Sequence, residues 1–583
     1  MSFLTYLRTP RSVEALAVDT SMLNYPRRVL NSVFATVPVQ PLSEPLRVIS
    51  VSLPALSLLS STPLSESDSE LRANEIFLKL FTGSQELWSA HVGWGHCYWG
   101  TQFGNYAGQL GDGAAVLIGE GGTGFEVNLK GSGKTPFSRG FDGRKVIRSS
   151  IREFLCSEAM AGLGIPTTRA GSVIMSDTSR VLRDVNYTGR PIEENCAVVS
   201  RIAKTFIRFG SFESKSEEDS PSVRELIRFT WKTLLQPMTK DNESFMDIVI
   251  DRTACSVAEW QAVGFVHGVM NTDNMSIIGD TIDYGPYGFV ETYDPHFVPN
   301  TSDKFGRYAL SEQPRVAAWN LERLYSSLLF HLRGESLSDY GLNDMDDVEG
   351  LFFRKFKRYY DNKMRSKMGL IDQEDVSDEL FESLRSELFE LLDQSAVDYT
   401  STFRAISKLS LENVNAKAEE IMQTFPSAER VVRLSSAGLR VNRADLPDIE
   451  QFAATRLPEL EAVGIDMNTI KRWRHKLDRI DRFMNSDLSF REATLQRWVS
   501  FLARLAPLMT DKGRVVMGEV NPVYIPRQSL MQKAIDEVEQ DREMREVDRL
   551  LKLLQAPYAY DPSMTMYESP DLENYGACLS CSS

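Results

Sequence analysis

The sequence predicts an α+β protein in which a small β-rich lobe precedes a large helical one. Three observations predict it. Residues 98–131 alternate Gly-rich turns with short apolar runs, the pattern of strand, turn and strand. One helical pattern, RKVIRSSIREFLCSEAMAGLG, follows and stops at Gly162 or Gly164. From about residue 223 the apolar positions take helical spacing, and 310–560 reads as charged, amphipathic and mostly α-helical.

Taken in order, residues 1–85 read as an irregular arm containing Pro and Ser, ending in a helix around SELRANEIFLKLF. After the helix that carries Glu153, RAGSVIM, SRVLRDVNY and CAVVSRIA read as strands, so the first third is a mainly antiparallel sheet with one well-marked helix. The polar stretch SFESKSEEDSPS at 211–222 reads as a surface loop. These patterns place an N-terminal extension at 1–90 and an N-lobe at 91–210. The start of a C-lobe falls at 211–330, a helical C-lobe with its extension at 331–560, and a tail at 561–583.

Composition narrows the classes. The chain has 583 residues, 42% of them apolar and 25% charged, which is the make-up of a soluble globular protein able to bury a sizeable core. A net charge of −15 argues against a broad nucleic-acid footprint, which needs clustered Lys and Arg. The stretch VISVSLPALSLLSSTPL is broken by Pro54 and Pro63 and falls short of the roughly 20 apolar residues of a membrane span. Six cysteines in so long a chain do not form a disulfide scaffold. Cys156 and Cys255 lie in apolar helical patterns. Cys578 and Cys581 form a C-x-x-C in the tail, read as a redox pair or as exposed thiols without a role. Arg8 and Arg11 with no acid before Glu14 give the start a faint transit-peptide composition.

The chemistry lies in HGVMNTDNMSIIGDTIDYGPYGF, residues 267–289. A protein kinase carries H-R-D-L-x-x-x-N and then D-F-G. Here His267 and Asn274 keep that spacing and Asp283-Tyr284-Gly285 follows, but Val269 stands where a kinase has its catalytic Asp. A kinase-like nucleotide site also needs a Gly-rich hairpin over the phosphates, a strand Lys and a helix Glu to hold it. Gly111 and Gly113, Lys130, and Glu153 (with Glu158 as its rival) supply these in kinase order. Asn274 and Asp283 offer an amide and a carboxylate oxygen, the donors that Mg²⁺ or Mn²⁺ takes beside ATP phosphates. Val269 cannot accept a proton. Asp273 can, although it could instead serve the metal ligand next to it.

The segments LGDG, LKGSGKTPFSRGFDGRKVIRSSIREFLCSEAM, SRIAKTFIRFGSFE and VGFVHGVMNTDNMSIIGDTIDYGPYGF closely resemble the selenoprotein O family, over about residues 98–325 and then thinly to NPVYIPR and the tail. The resemblance implies a protein-kinase-like (pseudokinase) fold that transfers AMP from ATP to Ser, Thr or Tyr hydroxyls of proteins and releases pyrophosphate. It implies a nucleotide bound flipped, so that the α-phosphate faces the acceptor. By the same resemblance Lys130 and Glu153 bind phosphate as a pair, Gly111 and Gly113 line the hairpin, and Asp142 and Gly143 touch the nucleotide. Arg201 and Arg208 hold the far phosphate, Asn274 and Asp283 bind the metal, and Asp273 accepts the proton. The C-terminal C-x-x-C resembles that family's tail.

Departures are visible. Ala114 replaces the family's Arg after GDG, which leaves one phosphate contact missing or supplied by Lys134 or Arg144. Thr101 replaces the His of GHQFG, and residues 257–577 contain no cysteine to bond the tail. A kinase transferring the γ-phosphate, a UMP transferase using UTP, and a non-catalytic nucleotide-binding scaffold with a redox tail are the competing readings. The family resemblance implies a mitochondrial location for a eukaryotic member, with the cytoplasm as the alternative.

Overall fold

A computed structural model of the chain describes residues 7–84, 87–88, 91–184, 189–239, 243–372, 375–437, 439–461 and 463–571. Cys578 and Cys581 lie outside them. A nine-stranded mixed sheet forms the first lobe. Its order is Val18–Asp19, Phe34–Val37, Gly93–His96, Ala115–Glu120, Glu126–Lys130, Ile192–Ala203, Arg169–Arg183 and Leu46–Val51, with Lys145–Val146 pairing beside Ile192–Ala203. Only the first of these pairings is parallel.

Two expectations change here. The arm before residue 90, read as irregular, gives three strands to the sheet. Phe34–Val37 pairs with Gly93–His96, and Leu46–Val51 pairs with 172–176. The stretch 211–222, read as a surface loop, is instead two short 3₁₀ turns running into a helix that starts at Ser220, with Ser211, Glu213, Ser214 and Asp219 buried. Several of its polar groups are hydrogen-bonded within the fold. The Arg208 N–H donates to Ser211 Oγ at 3.1 Å, the Ser214 hydroxyl donates to Asp219 Oδ2 at 2.7 Å, and Asn31 N donates to Asp219 Oδ1 at 2.8 Å.

The well-marked helix runs over Ile147–Gly162 and lies on the sheet. Ile151, Phe154, Leu155 and Met160 are fully buried against Val173, Met175 and Val199. The same apolar cluster continues into the helix Phe245–Val263 through Val249, Val257 and Trp260, so the lobes share one core. C-terminal elements close over the Ile147–Gly162 helix from outside. At Gly162 an added Cβ would stand 2.2 Å from the Leu554 carbonyl, so only glycine admits the helix Arg545–Gln555 at this distance.

The two glutamates of the Ile147–Gly162 helix separate clearly. Glu158 is fully buried. It receives two hydrogen bonds from the Arg169 guanidinium at 2.8 and 2.7 Å, one from Ala170 N at 3.2 Å, and others from the Ser52 hydroxyl and the Gln555 amide. It therefore ties the N-terminal arm, the sheet and the C-terminal helix together, and Glu153 is left as the partner of Lys130. Removing one member of a buried pair leaves an uncompensated charge at a cost of about 3–5 kcal/mol. We expect Glu158→Ala to lose about that much stability in urea unfolding, and a midpoint equal to wild type would show that the network is dispensable.

Candidate functional site

Strand pairing builds the first part of the site. Lys130 ends the strand Glu126–Lys130, and its register places Asn128 opposite Arg201. Alternation puts Asn128 and Lys130 on one face. Arg201 donates to Asn128 Oδ1 through Nε at 3.2 Å and Nη2 at 2.8 Å, which aims its remaining Nη1 forward. Glu153, in the second turn of the helix, holds the Lys130 ammonium at 2.8 Å.

Arg208 arrives by another route. Residues 207–209 pair with 275–277, through Phe209 N to Met275 O at 2.8 Å and Ile277 N to Ile207 O at 3.1 Å. This backbone ladder fastens Arg208 to the loop of residues 267–289. Its guanidinium stacks 4.5 Å over the Tyr98 ring and is almost wholly buried.

Asp283 receives all three cations. Lys130 Nζ lies 2.9 Å and Arg201 Nη1 2.6 Å from Oδ1, and Arg208 Nη1 lies 2.7 Å from Oδ2. Burial alone would push this carboxyl up, but Lys130, Arg208 and Arg201 outweigh it and hold Asp283 well below the usual carboxylate range. The backbone there is left-handed, with φ of +56°. His267 fixes the approach: its Nε2 donates to Ile282 O at 2.8 Å, while Nδ1 accepts from Val269 N at 3.4 Å. Gly268, with φ of +78°, would carry a Cβ 2.3 Å from Pro286 O.

Asp273 adjoins the cluster. Arg208 donates to its main-chain carbonyl at 2.9 Å, and its Oδ2 accepts from Gln102 Nε2 at 3.0 Å. Its Oδ1 is buried with no protein partner among the described residues. Burial pushes the Asp273 carboxyl up to about 6, against the Gln102 hydrogen bond and the Arg208 charge. Gly100 is required here, because a Cβ would meet Asp273 Oδ1 at 2.6 Å. Asn274 donates from Nδ2 to Val269 O at 3.0 Å, which leaves its Oδ1 as the end available to a cation.

The Gly-rich turn is backed by an aromatic ring. Gly111 has φ of +94°, and a Cβ would stand 2.4 Å from the Phe137 ring, while one on Gly113 would meet Phe137 O at 3.0 Å. Phe137 thus packs under both glycines. Between them Asp112 is buried, 3.9 Å from Arg208, with its carboxyl pushed up by burial. Asp142 is gripped by Arg183 at 2.6 and 2.8 Å, and Gly143 packs on Gly133 O, so these two contact other partners than the Asp283 cluster. The Arg144 guanidinium donates to the carbonyls of Gln40, Pro41 and Gly131, so the suggestion that it replaces an arginine at position 114 meets a side chain already engaged. Gln102, Asn128 and Asp112 were missed by sequence reasoning; strand alternation with Lys130 was the signal available for Asn128.

The arrangement defines an enzyme of protein-kinase-like fold whose loop has a carboxylate at Asp273 and none at Val269. Residues 54–555 match the family model described as protein adenylyltransferase SelO. The chain is 39% identical to the mouse protein adenylyltransferase SelO, mitochondrial, over 95% of this chain and 87% of the mouse protein. It is 39% identical to the human protein of the same name, over 91% of this chain and 83% of that one. It is 34% identical to the protein nucleotidyltransferase YdiU of Nitrosospira multiformis, over 95% of this chain and 91% of that protein. The chain belongs to the SelO family and is a nucleotidyltransferase.

One consequence of the geometry is measurable directly. In this structure the Asp283 carboxylate holds the donors of Lys130, Arg201 and Arg208. Asp283→Ala frees Lys130, Arg201 and Arg208, and charge-assisted hydrogen bonds contribute about 1.5–3 kcal/mol each. We expect the variant to bind inorganic pyrophosphate, without metal, about tenfold more tightly than wild type by calorimetry. Weaker binding than wild type would show that the cations do not form an anion site by themselves.

Proposed function

We propose that the chain transfers the AMP moiety of ATP to Ser, Thr or Tyr hydroxyls of proteins and releases pyrophosphate. The observation that carries this reading is the junction of three cations, convergent on one point, with a buried carboxylate oxygen on Asp273 that has no protein partner among the described residues. Lys130, Arg201 and Arg208 bind the phosphates, with the guanidinium forks suited to the outer ones. Glu153 keeps Lys130 in place. Asp273 takes the proton of the acceptor hydroxyl. The hydroxyl oxygen forms a bond to the α-phosphorus, the bond between that phosphorus and the bridging α–β oxygen breaks, and pyrophosphate carries away the electron pair.

Asn274 and Asp283 would hold Mg²⁺ or Mn²⁺, since both offer the hard oxygen donors these ions take. Such an ion would neutralise charge developing on the phosphates. Val269 is then no loss: the proton acceptor sits four residues further along the loop. The names of the mouse and human relatives support mitochondrial residence.

Incubating wild type and Asp273→Asn with ATP labelled at the α- or γ-phosphate tests this. We expect α-label, and no γ-label, on protein from the wild type. Asp273→Asn should transfer about 10²–10⁴-fold more slowly, as loss of a general base does, while ATP affinity stays at the wild-type level. Transfer of γ-label would make the chain a kinase. An Asp273→Asn variant as fast as wild type would remove Asp273 from the chemistry.

A further inference from the structure

The strand Trp99–Gln102 has two working faces. Gln102 and Gly100 lie against Asp273 on one side. Thr101 faces the other way, into an open cavity of about 400 Å³. The walls of this cavity include Thr101, Tyr106, Glu213, Lys215, Trp319 and Arg323. A single strand therefore separates it from the carboxylate that meets the acceptor hydroxyl. Thr101 N also donates to Thr272 Oγ1 at 2.8 Å, directly beside Asp273 in the chain.

Two independent features of the cavity point to an occupant. The first is Glu213, buried to 4% exposure. Its Oε2 accepts from the hydroxyls of Thr272 at 2.7 Å and Thr101 at 3.3 Å, and its Oε1 is buried with no protein partner among the described residues. Burial pushes the Glu213 carboxyl up to about 7, so near neutrality it is part protonated and can donate to a carbonyl. The second feature is charge. The protein carries a net charge of −15, yet this face holds cations that form no ion pair among the described residues. Lys215 lies 4.0 Å over the Tyr106 ring, Arg323 5.4 Å over Trp319 and Arg307 4.6 Å over the same Trp319. The Nε of Arg307 is buried without a hydrogen-bond partner among the described residues. Rings beneath these cations fix their positions and leave their outward N–H groups for carboxylates.

We propose that this cavity docks the acceptor segment of the protein substrate and selects segments with Asp or Glu beside the acceptor hydroxyl. The proposal rests on the reading that proteins are the acceptors, and it adds which ones are chosen. Lys215, Arg307 and Arg323 receive the acidic side chains, Glu213 meets the peptide backbone, and the hydroxyl passes over the Thr101–Gln102 edge to Asp273.

The test uses fluorescein-labelled octapeptides with one Ser flanked by Asp and Glu, by Gln, or by Lys. Binding to the full-length protein is read by anisotropy, in excess pyrophosphate so that the Lys130–Arg201–Arg208 cluster is filled. The acidic peptide should bind about tenfold more tightly than the Gln peptide, the scale of a pair of charge-assisted contacts, and the preference should shrink with salt. In the double variant Lys215→Glu, Arg323→Glu the preference should reverse toward the Lys peptide while ATP affinity stays unchanged. Equal binding of the three peptides, no binding, or an acidic preference that survives the double variant each overturn the proposal. Transfer of α-label to the bound peptide is a separate readout. An acidic peptide that docks but is never labelled upholds the groove and counts against AMP transfer. Labelling without any flank preference upholds transfer and removes the groove.

Discussion

The Asp283 carboxylate is the point on which the two lobes agree. Lys130 comes from the end of one strand, Arg201 from its neighbour, and Arg208 from a segment laddered to the large lobe. Asp283 itself comes from the large lobe's loop. Buried charges are tolerable only when paired and hydrogen-bonded. Each of the three cations is therefore stable in its place because Asp283 is there, and Asp283 is kept ionised because they are. Any charged group that enters must be exchanged for one already present. Under the proposed function, phosphate takes the cations' donors and a divalent ion takes Asp283. On that proposal the arrangement is an ion-exchange site, with the protein's own carboxylate standing where phosphate oxygens would go.

That site needs a helix that does not move. Glu153 reaches Lys130 only if the Ile147–Gly162 helix is held from both sides. The sheet holds it through Val173, Met175 and Val199, and the C-terminal elements hold it from outside. Arg152, next to Glu153, donates to Tyr287 O at 3.3 Å and stacks on the Tyr287 ring, which links the helix to the loop four residues beyond Asp283. Further along the helix, the Glu158 network carries the same helix to the N-terminal arm and to Gln555. Chain ends that look peripheral in sequence are thereby mechanically close to the chemistry.

Much of this was legible in the sequence. The order of Lys130, Glu153 and Asp283 was legible, and folding brings these three side chains together because each sits on a local element of strong pattern. The convergence of Arg201 and Arg208 on a single anion was also legible, but the anion in this structure is Asp283, which sequence spacing could not show. The strands of the N-terminal arm were not legible, since Phe34–Val37 and Leu46–Val51 find partners far along the chain, and pairing of that kind has no local signal. The buried course of 211–222 was hidden for another reason. Its Ser and acidic residues look solvated by composition, yet Ser211, Glu213, Ser214 and Asp219 are buried and bond one another, Arg208, Thr272 and Asn31. The Phe137 ring beneath Gly111 and Gly113 was not legible either, since it comes from a later turn of the chain.

The central claim, that Asp283 yields its cations to phosphate when a metal ion takes the carboxylate, makes nucleotide binding depend on metal through one residue. The direct measurement is ATP affinity with and without Mn²⁺ for wild type and Asp283→Asn. The account predicts that Mn²⁺ tightens ATP binding by wild type about tenfold or more, on the scale of released charge-assisted bonds, and leaves the variant unchanged. An equal gain in both proteins would contradict it, because the metal would then act without displacing Asp283 from Lys130, Arg201 and Arg208.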